Sequence, residues 1–301
     1  MKNFHHKIKP DLTFTVREAD TLQGFLQRAF AGKSRNSLKE LLASGRVEVN
    51  GRSRTAYDHS LQAGDRVTVR RTVSPAQFRH PKLRILFEDE WLIVVDKREG
   101  LLSIGTDKER EKTAYHILSE HIKRQNPRAR LFVVHRLDRE TSGVMLFAKR
   151  EDVKHRLQDE WRRLVLDRRY VAVVDGVLPS EEGVIDAPLA ENRNHKVYVC
   201  RETDDVDWVD AVTHYRVLKS RNGRSLVELR LETGRKNQIR VHMQSLGHPV
   251  VGDARYGCET DPLGRLALHA FKLCFYHPLT GERMEFETPY PAPFKNLMLR
   301  K

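Results

Sequence analysis

The spacing of apolar residues indicates a short helical unit at the start of the chain. Between Thr21 and Gly32, apolar residues recur every three or four positions, which predicts a helix ended by Gly32. Ser37–Gly45 has the same spacing and predicts a second helix, capped by Ser37. Two alternating segments follow, RVEVNG and DRVTVR, with the turn signal Asn50-Gly51 between them. We therefore expect two helices and a small sheet.

Strand patterns outnumber helical ones in the remainder of the chain. Apolar runs and alternating segments predict the strands WLIVVDK, LFVV, VMLFA, YVAVVDGV and LVELRLE. Helical spacing appears in TAYHILSEHIKR, DVKHRLQDEWRRL and NQIRVHMQSL. Because strands and helices do not alternate regularly, we expect an α+β fold with a mostly antiparallel, mixed sheet. The proline-containing stretch 73–83 predicts a linker, so the predicted units are 1–72 and 84–301.

The positive charge of the chain is concentrated near its start. The 301 residues carry a formal net charge of +13, and residues 1–75 hold 14 Lys and Arg against 7 Asp and Glu. A basic excess of this size favours a polyanionic partner, with nucleic acid ahead of a membrane surface. A general solubility charge is the alternative.

Several classes of protein are disfavoured by what the sequence lacks. It has no run of about 18 apolar residues that could span a bilayer, and its start lacks the apolar core of a secretory signal. The cysteines Cys200, Cys258 and Cys274 are widely spaced and form no C-x-x-C pair. We therefore expect a cytoplasmic protein with reduced cysteines, no membrane partner and no metal site.

The segment HRLDRETSG, residues 135–143, is a long charged connection between two apolar strands. Hairpin loops usually take two to five residues. Arg136 and Arg139 flank Asp138, and we expect these cations to keep its carboxyl ionised. An ionised carboxylate on a rigid frame can serve as nucleophile or base, although Asp–Arg clusters in loops are also commonly structural. Thr141, Ser142 and Gly143 are expected to turn the chain back into the sheet.

Two further segments supply candidate chemistry. In GRKNQIRVHMQSL, Lys236, Arg240 and Gln244 fall one turn apart on a predicted helix. Arg240 can then face a cleft and form a buried pair with Asp138; a rim arginine is the alternative. Tyr170 begins a predicted strand in RRYVAVVDG, where it either lines a pocket or simply packs.

These segments together resemble a known enzyme family. HRLDRETSG, RRYVAVVDG, GRKNQIRVHM, HPVVGDARYG and LHAFKLCFYHPLTGE occur in this order and resemble the RluA family of pseudouridine synthases, from about residue 85 onward. The segments FLQRAF, SRNSLKELLASGRVEVNG and LQAGDRVTV resemble the small alpha-L RNA-binding domain first seen in a small-subunit ribosomal protein. This resemblance implies an RNA-binding unit followed by a catalytic domain.

The resemblance assigns roles to particular residues. Asp138 matches the essential aspartate, Tyr170 the active-site tyrosine that packs on the target base, and Arg240 the arginine paired with the aspartate. Arg136 matches the arginine that can enter the RNA stack. Lys236-Asn237 replaces the more usual Thr/Ser-His. The residues expected to bind RNA are Arg136, Arg139, Arg235, Lys236, Lys33, Arg35, Lys39 and Arg46.

The implied activity is isomerisation of uridine in structured RNA, with ribosomal RNA of the large subunit favoured over transfer RNA. The reaction involves no redox change and no net hydrolysis, so no cofactor is expected; no P-loop or dinucleotide fingerprint occurs. We expect a monomer. A non-catalytic RNA-binding or ribosome-assembly factor is the first alternative. A glycosidase is a second alternative, but it normally needs two opposed carboxylates, and only one is prominent here. A zinc deaminase is a third alternative, but its sequence signature is absent.

Overall fold

The protein is described from a computed structural model, which covers residues 11–43, 45–70, 78–201 and 203–299. Residues 73–77 of the predicted linker lie outside the described residues, as do the first ten residues.

The first unit contains two helices and two small sheets. A four-stranded sheet has the order β1-β6-β3-β4, and β2 pairs with β5. Leu26, Leu38 and Val67 lie in one buried cluster, which joins the helices to the larger sheet. The element bounds are β1 Leu12–Thr15, β2 Asp20–Thr21, α1 Leu22–Ala29, α2 Arg35–Ala43, β3 Val47–Val49, β4 Arg52–Ser53, β5 Ser60–Leu61 and β6 Arg66–Val69.

The predicted helix pair and small sheet are therefore present, with two shifted boundaries. Helix α1 ends at Ala29, before the predicted stop at Gly32. Helix α2 begins at Arg35, two residues before the predicted start. The Ser34 hydroxyl accepts a hydrogen bond from the Ser37 backbone N–H at 3.2 Å, so Ser34 caps the first turn instead of Ser37. Asn50 and Gly51 both have positive φ, as a tight hairpin turn requires.

A ten-stranded sheet dominates the remainder of the described chain. Eight strands follow the order β12-β16-β17-β11-β18-β10-β8-β7, with β9 paired to β10 and β19 paired to β18. The sheet strands are β7 Leu83–Glu88, β8 Leu92–Lys97, β9 Phe132–Val133, β10 Ser142–Ala148, β11 Val165–Asp175, β12 Glu182–Asp186, β16 Val212–Arg221, β17 Arg224–Leu231, β18 Leu268–Tyr276 and β19 Arg283–Glu287. A separate three-stranded sheet comprises β13 Leu189–Glu191, β14 Val197–Val199 and β15 Trp208–Val209.

The pairings confirm the predicted α+β class with a mixed, mostly antiparallel sheet. Strands β10 and β18 run parallel, whereas the other neighbours given for the described strands are antiparallel. The predicted helix DVKHRLQDEWRRL is divided at Glu160, which leaves helical geometry. The remaining helices are α3 Ala114–Gln125, α4 Glu151–Asp159, α5 Trp161–Leu164, α6 Gln238–Ser245 and α7 Ala292–Leu297.

Gly143 has a different role from the turn predicted for it. It lies inside β10, one residue after Ser142 begins that strand. Its φ is +124°, and a Cβ at this position would lie 2.1 Å from the Ala270 carbonyl oxygen. Gly143 therefore allows the parallel strands β10 and β18 to approach each other at the centre of the sheet, next to the Asp138 loop.

Candidate active site

The three predicted catalytic residues line one cleft of about 250 Å³. Asp138 lies on the loop between β9 and β10, Tyr170 in strand β11, and Arg240 in helix α6. Arg136 and Arg235 line the same cleft. Residues separated by about a hundred positions in sequence are thus brought together at the centre of the large sheet.

Asp138 is held in a largely buried position. Its side chain is 21% exposed, and burial raises the pKa of its carboxyl above the usual range. Arg240 and then Arg136 act in the opposite direction. The expectation that Arg136 and Arg139 would keep this carboxyl ionised omitted burial, and Arg139 is exposed. A carboxylate with a raised pKa is a stronger base than an ordinary surface aspartate.

Lys97, at the end of β8, anchors the backbone that carries Asp138. The fully buried Lys97 ammonium donates to the carbonyl of Leu101 at 2.8 Å and to those of Asp138 and Arg139 at 3.2 and 3.4 Å. Burial lowers the pKa of Lys97 to about 8. Because these bonds are to backbone atoms, Lys97 fixes the loop and leaves the Asp138 side chain available. Sequence reasoning missed Lys97, whose only signal was a charged residue at the end of an apolar strand.

Arg240 makes its strongest contacts with Asp253. Its Nε and Nη2 donate to the two Asp253 carboxylate oxygens at 2.6 and 2.8 Å. Arg240 Nη1 lies 3.8 Å from Asp138 Oδ2, so the expected pair with Asp138 exists but is the longer one. Asp253 was missed, although it lies in the HPVVGDARYG segment. The bidentate bond sets the orientation of the guanidinium that faces Asp138.

The unusual Lys236-Asn237 pair has a structural explanation. Asn237 precedes helix α6 in the left-handed conformation, with φ of 56°, which Asn tolerates better than most residues. Its amide accepts from Arg240 Nη1 at 3.0 Å and donates to the Tyr256 hydroxyl at 3.1 Å. Lys236 lies outside the helix and donates to Glu191 at 2.7 Å, so the predicted shared helical face of Lys236 and Arg240 was wrong.

Tyr170 lies at an irregularity between β11 and β18. Arg169 pairs with Lys272 and Val171 with His269, so an extra residue of β18 lies opposite Tyr170. Bulges of this kind change the direction of side chains and are common beside active sites. Tyr170 packs against two core clusters, and burial raises the pKa of its hydroxyl. Tyr170 is therefore a protonated hydroxyl on an aromatic wall of the cleft.

His135 forms part of the cleft wall without being an acid or base at neutral pH. Its Nε2 accepts a hydrogen bond from the Leu146 backbone N–H at 3.0 Å. Burial lowers the pKa of His135 to about 3. Next to it, Arg168 lies over the Trp161 ring at 5.5 Å and donates to the Thr233 carbonyl at 3.2 Å. These residues stabilise the wall.

The expected RNA-binding residues lie in two parts of the molecule. In the first unit Lys33, Arg35 and Lys39 are exposed and Arg46 is partly buried. In the second unit all four residues are exposed: Arg136, Arg139, Arg235 and Lys236. Of these four, Arg136 and Arg235 line the cleft. Arg235 is oriented by a hydrogen bond from its Nε to the Asp210 carbonyl at 2.9 Å.

Other expectations concern the rest of the described chain. The three cysteines are unpaired and buried. Within residues 11–43, 45–70, 78–201 and 203–299, no cluster of three or more His, Cys, Asp or Glu side chains could hold a metal ion. No helix in that same part of the chain is long and apolar enough to cross a bilayer.

Two family models match the chain. Residues 91–245 match the model described as RNA pseudouridylate synthase, and residues 21–67 match the S4 domain. The first match includes Asp138, Tyr170 and Arg240. The second includes the helix pair of the first unit.

Relatives and solved structures agree with these matches. The chain is 35% identical over 269 residues to the uncharacterized RNA pseudouridine synthase YhcT of Bacillus subtilis, and the alignment covers 88% of each chain. It is 33% identical to the ribosomal large subunit pseudouridine synthase D of Vibrio cholerae, over 96% of this chain and 94% of that protein. The human RNA pseudouridylate synthase domain containing 4 has a TM-score of 0.56 and 29% identity, over 70% of this chain and 90% of that one. The chain belongs to the RluA family of RNA pseudouridine synthases and carries an S4 domain before its catalytic domain.

Proposed function

We propose that this pseudouridine synthase modifies large-subunit ribosomal RNA and uses Asp138 as its catalytic carboxylate. The observation that supports the catalytic assignment is the convergence of Asp138, Tyr170 and Arg240 on one cleft. The RNA assignment is supported by relatives named ribosomal large subunit pseudouridine synthase D, which align over 88% or more of this chain.

The reaction breaks the bond between uracil N1 and the ribose and joins the ribose to ring carbon 5. Asp138 can act on the sugar by attack at carbon 1′ or by removal of the 2′ proton; both routes start from the ionised carboxylate. Arg240, 3.8 Å away, favours this ionised form and partly offsets burial. Tyr170 covers the base with its ring, and its hydroxyl accepts the proton from carbon 5 while it passes its own proton to water.

The uridine must leave its base stack to reach the cleft, which costs a few kcal/mol. Arg136 is exposed and lines the cleft. Its guanidinium can occupy the position of the displaced base and stack on the neighbouring bases. Arg136 therefore offsets part of the cost of base extrusion.

The catalytic assignment is tested with Asp138→Asn and RNA that carries tritium at uridine carbon 5. We expect this variant to bind RNA like the parent and to release no tritium, because the amide can neither attack nor take a proton. Asp207→Asn changes an exposed aspartate in the same way and should release tritium normally. Tritium release by Asp138→Asn would refute the assignment.

The substrate is tested by mapping pseudouridines in a strain that lacks the protein. We expect loss of one or more pseudouridines from large-subunit ribosomal RNA and restoration by the parent gene but not by Asp138→Asn. Loss confined to transfer RNA would overturn the ribosomal assignment. An unchanged map in every RNA, together with no tritium release by the parent, would favour a non-catalytic RNA-binding factor.

The RNA-binding role of the first unit is tested through salt dependence. Replacing Lys33, Arg35 and Lys39 by Ala removes three exposed cations. If all three contact phosphates, the slope of log affinity against log salt falls by about 2 to 3, since each contact contributes roughly 0.7 to 0.9. Replacing the exposed Lys123, Lys219 and Lys295 removes the same charge and should leave the slope nearly unchanged. Equal slopes for the parent and the first variant would refute this role.

A further inference from the structure

Thr141 lies in the same cleft as Asp138 and has a buried hydroxyl without a hydrogen-bond partner among the described residues. The residue is 2% exposed, and its Oγ1 has no partner in the part of the chain that the structure describes. Thr141 lines the cleft together with Asp138 and Tyr170. Its backbone N–H donates to the Asp138 carbonyl at 3.2 Å, so the two residues belong to one turn.

The neighbouring hydroxyl shows that this part of the loop can satisfy its polar atoms. Ser142 Oγ contacts His269 Nδ1 at 2.8 Å and accepts from Arg265 Nη2 at 2.8 Å. Thr141, one residue earlier, lines the cleft, and its covered Oγ1 has no such partner among the described residues. A buried hydroxyl without a partner destabilises the folded protein. Valine would fill the same space without this penalty, so the folding of the free protein does not explain a threonine here.

We propose that the Thr141 hydroxyl forms a hydrogen bond with the target uridine, which makes Thr141 a substrate-binding residue of this enzyme. The inference rests on the proposed function, because it places the reacting nucleoside beside Asp138. A hydroxyl both donates and accepts hydrogen bonds, so it suits a nucleoside, which presents both kinds of atom. The backbone hydrogen bond between Thr141 and Asp138 holds both residues in one turn. A hydrogen bond from the Thr141 hydroxyl to the uridine therefore orients the nucleoside relative to Asp138 for reaction.

The test compares Thr141→Val, which keeps the shape and removes the hydroxyl, with Thr141→Ser, which keeps the hydroxyl. We expect Thr141→Val to melt at the same temperature as the parent or higher. We also expect its kcat/KM for tritium release to fall about tenfold to a hundredfold, as for loss of a hydrogen bond that leaves a polar atom unpaired. Thr141→Ser should recover most of the loss. The pH profile of Thr141→Val should keep its acidic limb.

Ser119 provides a matched control. Its buried hydroxyl also lacks a partner among the described residues, but it lies on helix α3 and is not part of the cleft lining. Ser119→Ala should leave kcat/KM unchanged and should not lower the melting temperature. Comparison of the two variants thus separates the general effect of losing an unpartnered hydroxyl from the effect of losing one at the cleft.

Three results would overturn the proposal. The first is a kcat/KM of Thr141→Val within twofold of that of the parent. The second is a lowered melting temperature of Thr141→Val, which would mean that the hydroxyl is bonded in the free protein. The third is a displaced acidic limb of its pH profile, which would mean that the hydroxyl bonds Asp138 instead of RNA. The Asp138→Asn variant is measured in parallel. Activity retained by that variant counts against the proposed catalytic residue, whereas parent-like Thr141→Val counts against this inference alone.

Discussion

Replacement of Asp253 by Asn tests whether the Arg240–Asp253 pair governs the ionisation of Asp138, the carboxylate that we propose to be catalytic. The Asp253 side chain is fully buried and accepts two hydrogen bonds from Arg240. Removing one partner of a buried ion pair costs about 3–5 kcal/mol, and Asn still offers one acceptor oxygen, so about 3 kcal/mol is expected. For a domain of this size, that loss lowers the melting temperature by roughly 6–12 °C.

The same substitution should change the titration of Asp138. In the parent, the negative charge of Asp253 neutralises part of the Arg240 charge. Without it, Arg240 at 3.8 Å acts more strongly on Asp138 and lowers the pKa of that carboxyl. Activity that requires ionised Asp138 then persists to lower pH, and the acidic limb of the kcat/KM profile moves down by about one pH unit, as for a change in one nearby charge.

The assay combines thermal unfolding with tritium release between pH 4.5 and pH 8. Asp207→Asn serves as the control, because it removes the same charge at an exposed site. We expect the control to change neither quantity. If Asp253→Asn melts within about 2 °C of the parent and keeps its acidic limb, or if the limb moves to higher pH, the coupling from Asp253 through Arg240 to Asp138 is refuted.

Three other predictions concern the frame around the cleft. Gly143→Ala, with its Cβ 2.1 Å from a β18 carbonyl, should lower the free energy of unfolding by more than about 4 kcal/mol in urea titrations; Gly32→Ala meets no atom within 4 Å and should be neutral. Burial lowers the pKa of His135 and His269 to about 3, so both stay neutral when folded but take up protons below about pH 6.5 when unfolded. The stabilisation of the folded protein by these neutral histidines is complete above pH 6.5 and is lost as the pH falls towards 3. Each histidine should lower the free energy of unfolding by roughly 2 kcal/mol between pH 7 and pH 5. Equal urea midpoints at these two pH values would contradict this prediction. Lys97→Met removes the donor to the Asp138 and Arg139 carbonyls and should lower kcat more than RNA affinity, whereas equal losses would argue against a positioning role.

The fold class could be predicted from local patterns, whereas the S4 and synthase units were predicted from the resemblance of longer segments to known families. Alternating and helical spacing identify elements without reference to distant residues. Asp138, Tyr170 and Arg240 were identified through motifs, each too short to indicate chemistry alone. The structure brings all three residues to one cleft.

The partners of these residues could not be predicted, because they depend on distances across the sheet. Asp138 was the expected partner of Arg240, yet Asp253 lies closer and binds through both oxygens. The pKa of Asp138 was expected to be held low by its chain neighbours. In the structure Arg139 is exposed and burial is the largest effect. Neither burial nor side-chain direction follows from proximity along the chain.

The division of Arg240 between two carboxylates is suited to the role that we propose for Asp138. A guanidinium bound in a bidentate manner to Asp138 would hold the carboxylate ionised, but it would also occupy both oxygens and weaken it as a base or nucleophile. Asp253 instead takes the short hydrogen bonds, and Asp138 feels the same cation at 3.8 Å. Burial then raises the pKa of Asp138 against this weaker attraction. The carboxylate is thereby kept close to a cation while its oxygens stay free of the bidentate bond, as the proposed action of Asp138 on the sugar requires.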